Sequence, residues 1–171
     1  MRNRQTGNDQ SSSSLDEKLD GCADALDEGD FEAALQAAEE VLADSPDNLD
    51  ALHFRAAALA GLGRLEDAHD AYGVALKQAP NDVDVLQGAS ELLVFDFADD
   101  HDALEDALDL LDRALKRVRK LGDAAREAEL LLLLAMALNK SGRPGEALGE
   151  LERARNLAPE SLELMLERGI S

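Results

Sequence analysis

The chain has 171 residues and a formal net charge of −20, from 37 acidic against 17 basic side chains. Affinity for nucleic acid and for anionic membrane surfaces comes mainly from Lys and Arg, so this balance disfavours both partners. Apolar residues make up 45% of the chain, enough to bury a core and too many for a disordered acidic tail. Leucine (32) and alanine (29) dominate that fraction, aromatics total 3%, and tryptophan is absent. Strands draw on β-branched and aromatic residues and helices on Ala, Leu and Glu, so the composition predicts an all-α protein.

Residues 1–14 carry Arg2 and Arg4, lack the apolar run of a secretory signal and finish in four serines. They are expected to form a disordered polar tail, with Ser14 and Glu17 making a capping box at the first helix. Cys22, the single cysteine, excludes an intramolecular disulfide framework and a multi-cysteine metal site. It is expected to be a buried structural thiol. The longest apolar stretch, Leu130 to Leu138, has nine residues, about half of the roughly 20 that a membrane-spanning helix needs. These observations predict a soluble, cytoplasmic protein.

An internal period organises the rest. Gly29 recurs as Gly63, Ala34 as Ala68 and Pro46 as Pro80, each at a shift of 34 residues. Ala68 recurs as Ala107 and again as Ala147, at spacings of 39 and 40. Within the second unit Leu52, Ala56, Leu59 and Leu62 form one helical stripe, and Leu65, Ala68, Tyr72, Ala75 and Leu76 form another after Gly63. Two short helices separated by a glycine make a hairpin, and Pro80 stops the second helix.

This pattern resembles the tetratricopeptide repeat, a 34-residue helix-turn-helix unit. The second unit carries the match as Leu52, Arg55, Ala56, Leu59, then Ala68 and Tyr72, then Pro80. The fourth carries it as Leu131, Leu134, Ala135, Leu138, then Ala147 and Leu151, then Pro159. The third has Arg119 where the proline stands in the others. The resemblance implies an all-α, right-handed α-solenoid of four hairpins, with units at residues 15–48, 49–82, 83–121 and 122–161 and a terminal capping helix or truncated fifth unit at 162–171. The third unit is expected to contain an inserted acidic loop at 95–102, with Asp102 or a neighbour capping the next helix. In the fourth unit, Asp123 to Glu127 are expected to lengthen the first helix backwards. Residues 162–170 carry Leu162, Leu164, Met165, Leu166 and Ile170, more apolar than an outer helix needs. Either the chain is a fragment of a longer array or this helix docks on another subunit, giving self-association.

The resemblance also implies that partners lie on the concave face lined by the first helix of each pair. Positions on those helices outside the packing stripe give the candidates: Leu19, Asp20 and Ala23; Asp50, His53, Phe54 and Ala57; Gln87, Glu91 and Val94; Leu132, Leu133 and Met136. Apolar side chains beside carboxylates suit a peptide or helix bearing apolar anchors and a few basic residues. The lysine-rich clamp with which some family members hold acidic C-termini is absent. A purely solubilising role for these carboxylates is the alternative for the face, and coverage by a lengthened helix or fifth hairpin is the alternative for the leucine run.

No catalytic grouping, phosphate loop or metal-ligand spacing is visible, so the sequence predicts no enzyme activity, no cofactor and no metal. Asp96, Asp99, Asp100, His101 and Asp102 lack the spacing of a calcium loop. The basic run Lys116, Arg117, Arg119 and Lys120 falls at a helix end, where cations complement the dipole. The functional expectation is a non-catalytic protein-interaction scaffold. The alternative is a chaperone or assembly factor that shields a basic client through its whole acidic surface. The excess of Asp over Glu and Arg over Lys also fits a high-salt or GC-rich source, which would explain the acidity without a basic partner.

Overall fold

Carboxylate and amide side chains start most of the helices. Asp30, Asn48, Asp82, Asp100 and Asp123 each accept a backbone N–H bond from the first turn they precede, satisfying donors that a helix leaves without partners. In the computed structural model, which describes residues 6–158 and their side chains from Leu15 onward, the result is all-helical. The helices are α1 (Thr6–Glu28), α2 (Phe31–Asp44), α3 (Leu49–Gly61), α4 (Leu65–Gln78), α5 (Val83–Asp96), α6 (His101–Leu121), α7 (Ala124–Lys140) and α8 (Pro144–Leu157). No strand occurs among the described residues. The chain divides into two compact units, one holding α1–α4 and the other α5–α8.

Each unit stacks two antiparallel hairpins, the construction expected of a tetratricopeptide α-solenoid. The turn after α3 shows how a hairpin closes. Gly63 sits at φ 71°, its N–H donates to the Ala60 carbonyl at 2.9 Å, and the Arg64 N–H donates to the Leu59 carbonyl at 2.9 Å. This pair of bonds satisfies the orphan carbonyls, and the left-handed φ favours glycine over residues with a Cβ. Gly29 and Gly142 close α1 and α7 with the same two bonds. The turn between α5 and α6 lacks such a glycine and spans residues 97–100 instead. The inserted segment is therefore shorter as a loop than the expected 95–102, because both neighbouring helices extend into it. The cap expected at Asp102 or a neighbour is Asp100, which accepts from the Asp102 and Ala103 N–H groups. With Arg119 in place of a proline, α6 runs for 21 residues, against 14 in α4, and ends at Gly122. Asp123 caps α7, so that helix begins at Ala124.

α1 differs from the expectation of a tail over residues 1–14. It begins at Thr6, so Ser14 lies inside the helix instead of capping it. Serine costs about 0.5 kcal/mol per helix position relative to alanine and nothing between Thr6 and Leu15 is proline, so the polar run does not break the helix. Residues 1–5, and the terminal helix expected at 162–171, lie outside the described residues.

The first unit buries Cys22, Ala34, Ala38, Val41, Leu52, Ala56, Leu59, Ala68, Tyr72 and Ala75. Alanine at so many contact positions lets helix axes approach closely. At Gly61 the approach leaves no room: a Cβ there would overlap Cγ, Cδ1 and Cε1 of the Phe31 ring, which heads α2. Because Cγ lies on the axis about which the ring turns, rotating the ring in place cannot relieve the overlap, and Phe31 must change its χ1 rotamer or the two helices must shift. Gly61→Ala is therefore expected to lower the unfolding free energy by about 1–3 kcal/mol, despite alanine's better helix propensity. Thermal unfolding checks this, and in a Phe31→Ala background the same Gly61→Ala change should cost little.

Cys22 is wholly buried, and burial first, then the Glu40 carboxylate, pushes its thiol pKa up. The protonated thiol favours the folded state, so its contribution is complete below the ordinary value of 9.0 and is lost as pH rises above it. Thiol-reagent labelling at about pH 8, below that range, is expected to be undetectable in the native protein and to become rapid on addition of denaturant.

Candidate partner-binding surfaces

In the first unit, α3 packs against α1, α2 and α4. The candidate residues on α1 and α3 lie on the parts of these helices left open. Leu19, Ala23, His53, Phe54 and Ala57 are half-buried, while Asp20 and Asp50 are exposed. The His53 ring stands 5.6 Å from that of Phe54, tilted 55°, and 6.0 Å from that of the buried Tyr72. Tyr72 and Phe54 thus position the imidazole as part of an aromatic group. Lys18 Nζ lies 3.9 Å from the carboxylates of both Glu40 and Asp44 on α2. Asp20 and Asp50 make no ion pair among the described residues, so this surface offers two free carboxylates beside apolar side chains.

The second unit is tied together differently. The Arg126 guanidinium, in the first turn of α7, donates to the Asp84 carboxylate on α5 and, at 3.4 Å, to Gln87 Oε1. Gln87 Nε2 in turn donates to Glu91 Oε1 at 2.9 Å. Arg119 Nε donates to Glu127 Oε1 at 2.7 Å, joining the end of α6 to α7. This chain of bonds neutralises Asp84 and holds Gln87 and Glu91 in place, leaving the second Glu91 oxygen available. Arg126 was legible only as part of a good helix-forming segment; its partner is 42 residues away.

Two candidates are not on any surface. Val94 is 0% exposed and Leu133 is 7% exposed, so both belong to the core. α7 packs against α5, α6 and α8, and neighbours on that many sides bury more than one stripe of a helix. Leu130, Leu131, Leu133, Ala135, Ala137 and Leu138 are all buried, which leaves Glu129, Leu132 and Met136 as the open row. Leu132 is half-buried and Met136 is 41% exposed. The same row continues into a cavity between α7 and α8 that sequence patterning did not single out. Ala135, Met136 and Asn139 of α7 and Ala147, Leu148 and Leu151 of α8 line this cavity of about 390 Å³, with Leu148 59% exposed.

The acidic turn leaves Asp96, Phe97, Asp99 and His101 around an open depression, with Asp100 engaged as the helix cap. Among the described residues no group of three His, Cys, Asp or Glu side chains is placed to hold a metal ion. None of the described helices is long and apolar enough to cross a membrane. In the basic run, Lys116 pairs with Asp112 and Arg119 with Glu127.

Comparison with known proteins gives a consistent picture of the fold. Models of the tetratricopeptide repeat match residues 25–93 and residues 128–171. No curated protein sequence matches the chain. Among solved structures, a MamA chain from Desulfovibrio magneticus RS-1, beginning at its residue 41, superposes with a TM-score of 0.68 at 20% identity, covering 85% of this chain and 76% of that one. A second MamA structure gives a TM-score of 0.63 at 19% identity, covering 86% and 84%. TTC0263, a thermophilic tetratricopeptide protein of Thermus thermophilus, gives 0.54 at 23% identity, covering 90% and 96%.

Proposed function

Because the chain belongs to the tetratricopeptide repeat family, whose hairpins serve as protein-interaction scaffolds, we propose that it is a non-catalytic scaffold capturing a partner peptide or helix on its first-helix faces. The observation that carries this reading is the α1/α3 surface of the first unit. There the exposed, unpaired carboxylates of Asp20 and Asp50 accompany half-buried Leu19, Phe54 and Ala57. Apolar side chains of a partner segment gain affinity by leaving water, and its Lys or Arg side chains gain specificity and association rate from the carboxylates. In the second unit Leu132 and Met136, on the same row of α7 as Glu129, offer the same chemistry. A cytoplasmic location is part of the proposal, and cell fractionation tests it.

The net charge of −20 supports a second reading, in which the whole acidic surface shields a basic client. Salt separates the two. A client held by charge should be released steeply between about 0.1 and 0.5 M salt, a partner anchored by apolar groups only weakly.

Affinity capture with the full chain tests the site assignment. Asp20→Lys combined with Asp50→Lys sets two like charges against a partner's basic side chains and is expected to lower capture severalfold, with an unchanged circular dichroism spectrum and a melting temperature within a few degrees of the original, since both residues are exposed and only Asp50, in the first turn of α3, meets the helix dipole. Undiminished capture of the same partners by this variant would remove the first-unit face from the proposal.

A further inference from the structure

Against the repeat, α7 begins one turn earlier than α3 and α5 do. Leu52, Ala56 and Leu59 recur as Leu131, Ala135 and Leu138, so Ala128 falls on Leu49, where α3 begins. The same alignment through Leu86 and Ser90 puts Ala128 on Val83, where α5 begins. α7 starts at Ala124, and its extra turn, Ala124 to Glu127, has no counterpart in either helix. That turn is held in place, since Asp123 caps it and Glu127 accepts from Arg119 at the end of α6. Arg126, within it, reaches across to α5.

The carboxylate that Arg126 meets belongs to a repeating slot. Asp16, Asp50 and Asp84 recur at intervals of 34, and the alignment of α7 on α3 adds Glu129 as the counterpart of Asp50. Of these four carboxylates, only Asp84 forms an ion pair among the described residues. Both bonds from the guanidinium to α5, to Asp84 and at 3.4 Å to Gln87 Oε1, come from Nη2. The Nη1 donors keep no partner among the described residues. Arg126 is half-buried and Asp84 is exposed, so solvent, and a partner, can reach the pair.

We propose that Arg126 is a specificity-determining residue of the second unit: it withdraws Asp84 from cation recognition, so the first turn of α5 turns away the Lys or Arg side chains that Asp50 attracts on α3. A partner's ammonium brought to Asp84 meets the guanidinium as well, and like charges set side by side oppose binding. Cation selection in the second unit is left to Glu129, one turn beyond Arg126 on α7. The inference rests on the partner-binding reading above and adds that the first turns of α3 and α5 read different side chains.

Chemical-shift titration of the full chain with two synthetic helical peptides, one of leucine and lysine and one of leucine and glutamate, tests it. In Arg126→Gln, the lysine peptide is expected to bind the second unit about two- to fivefold more tightly at low salt, read from Gln87 and Leu132. First-unit affinity, read from Phe54 and Ala57, should not change. Adding Asp84→Asn to that variant should cancel the gain. Asp84→Asn alone frees the guanidinium and should let the glutamate peptide shift Gln87, which it leaves unmoved in the original protein. Unaltered second-unit affinity in Arg126→Gln, or no response of Asp84→Asn to the glutamate peptide, would make Arg126 a brace between helices and overturn the inference. If Arg126→Gln does not fold, Asp84→Asn decides alone. Absence of first-unit shifts with the lysine peptide in the original protein would instead overturn the partner-binding reading, and the inference with it.

Discussion

Replacing Leu131 by alanine is expected to lower the unfolding free energy by about 2–5 kcal/mol, while the same change one residue later, at Leu132, costs little. Leu131 is 0% exposed, so truncating it removes buried apolar area and leaves a cavity that close-packed neighbours fill only partly. Leu132 is half-buried and keeps solvent access, so less area is lost and no enclosed void forms. Denaturant titration of the two variants reads the difference directly as a shift in midpoint. Equal midpoints would mean that the orientation of the leucines from Leu130 to Leu134 on α7 is wrong. The contrast matters for the partner surface, since Leu132 can be altered to probe binding only if its replacement leaves α7 folded.

An aspartate at Val94 is expected to be the most damaging single change among the residues that patterning placed on the partner face. The site is 0% exposed within α5, so the carboxylate must be buried without a partner or be taken up protonated, at a cost of roughly several kcal/mol either way. The expected result is loss of the cooperative thermal transition of the second unit, or a large fall in its midpoint. Loss of partner capture by Val94→Asp would therefore report unfolding, whereas loss by Asp20→Lys with Asp50→Lys reports the surface. A Val94→Asp protein that melts like the original would place Val94 on the surface after all.

These two residues also mark where the sequence was legible and where it was not. The hairpins were readable because the 34-residue recurrence of Gly29 and Gly63 and of Pro46 and Pro80 reflects backbone requirements, and that of Ala34 and Ala68 a buried contact with room for a small side chain. The cores of α3 and α4 followed, since Leu52, Ala56, Leu59, Ala68, Tyr72 and Ala75 lie on simple stripes and are all buried. The stripe pattern failed on α7, where α5, α6 and α8 pack on several sides and take in Leu133, and on α5, whose buried arc runs through Val85, Leu86, Ala89, Leu92, Leu93 and Val94. Patterning along one helix carries no information about how many neighbours it has. The Arg126 to Asp84 bond was hidden for a related reason, because it depends on the register in which α7 meets α5. The start of α1 at Thr6 was missed because a serine run suggests a tail, although the helix penalty of serine is small.

If apolar side chains on the first-helix faces, assisted by nearby carboxylates, hold a basic amphipathic segment, a synthetic helical peptide of leucine and lysine should bind where its leucine and glutamate counterpart does not. Chemical-shift mapping with the two peptides decides the matter. Shifts are expected to centre on Leu19, Phe54 and Ala57 in the first unit and on Leu132 in the second. They should largely survive a rise from about 0.1 to 0.5 M salt, and the glutamate peptide should produce none. Shifts spread over the outer carboxylates of α2, α4, α6 and α8, and abolished by that salt, would overturn the groove reading in favour of the acidic shield.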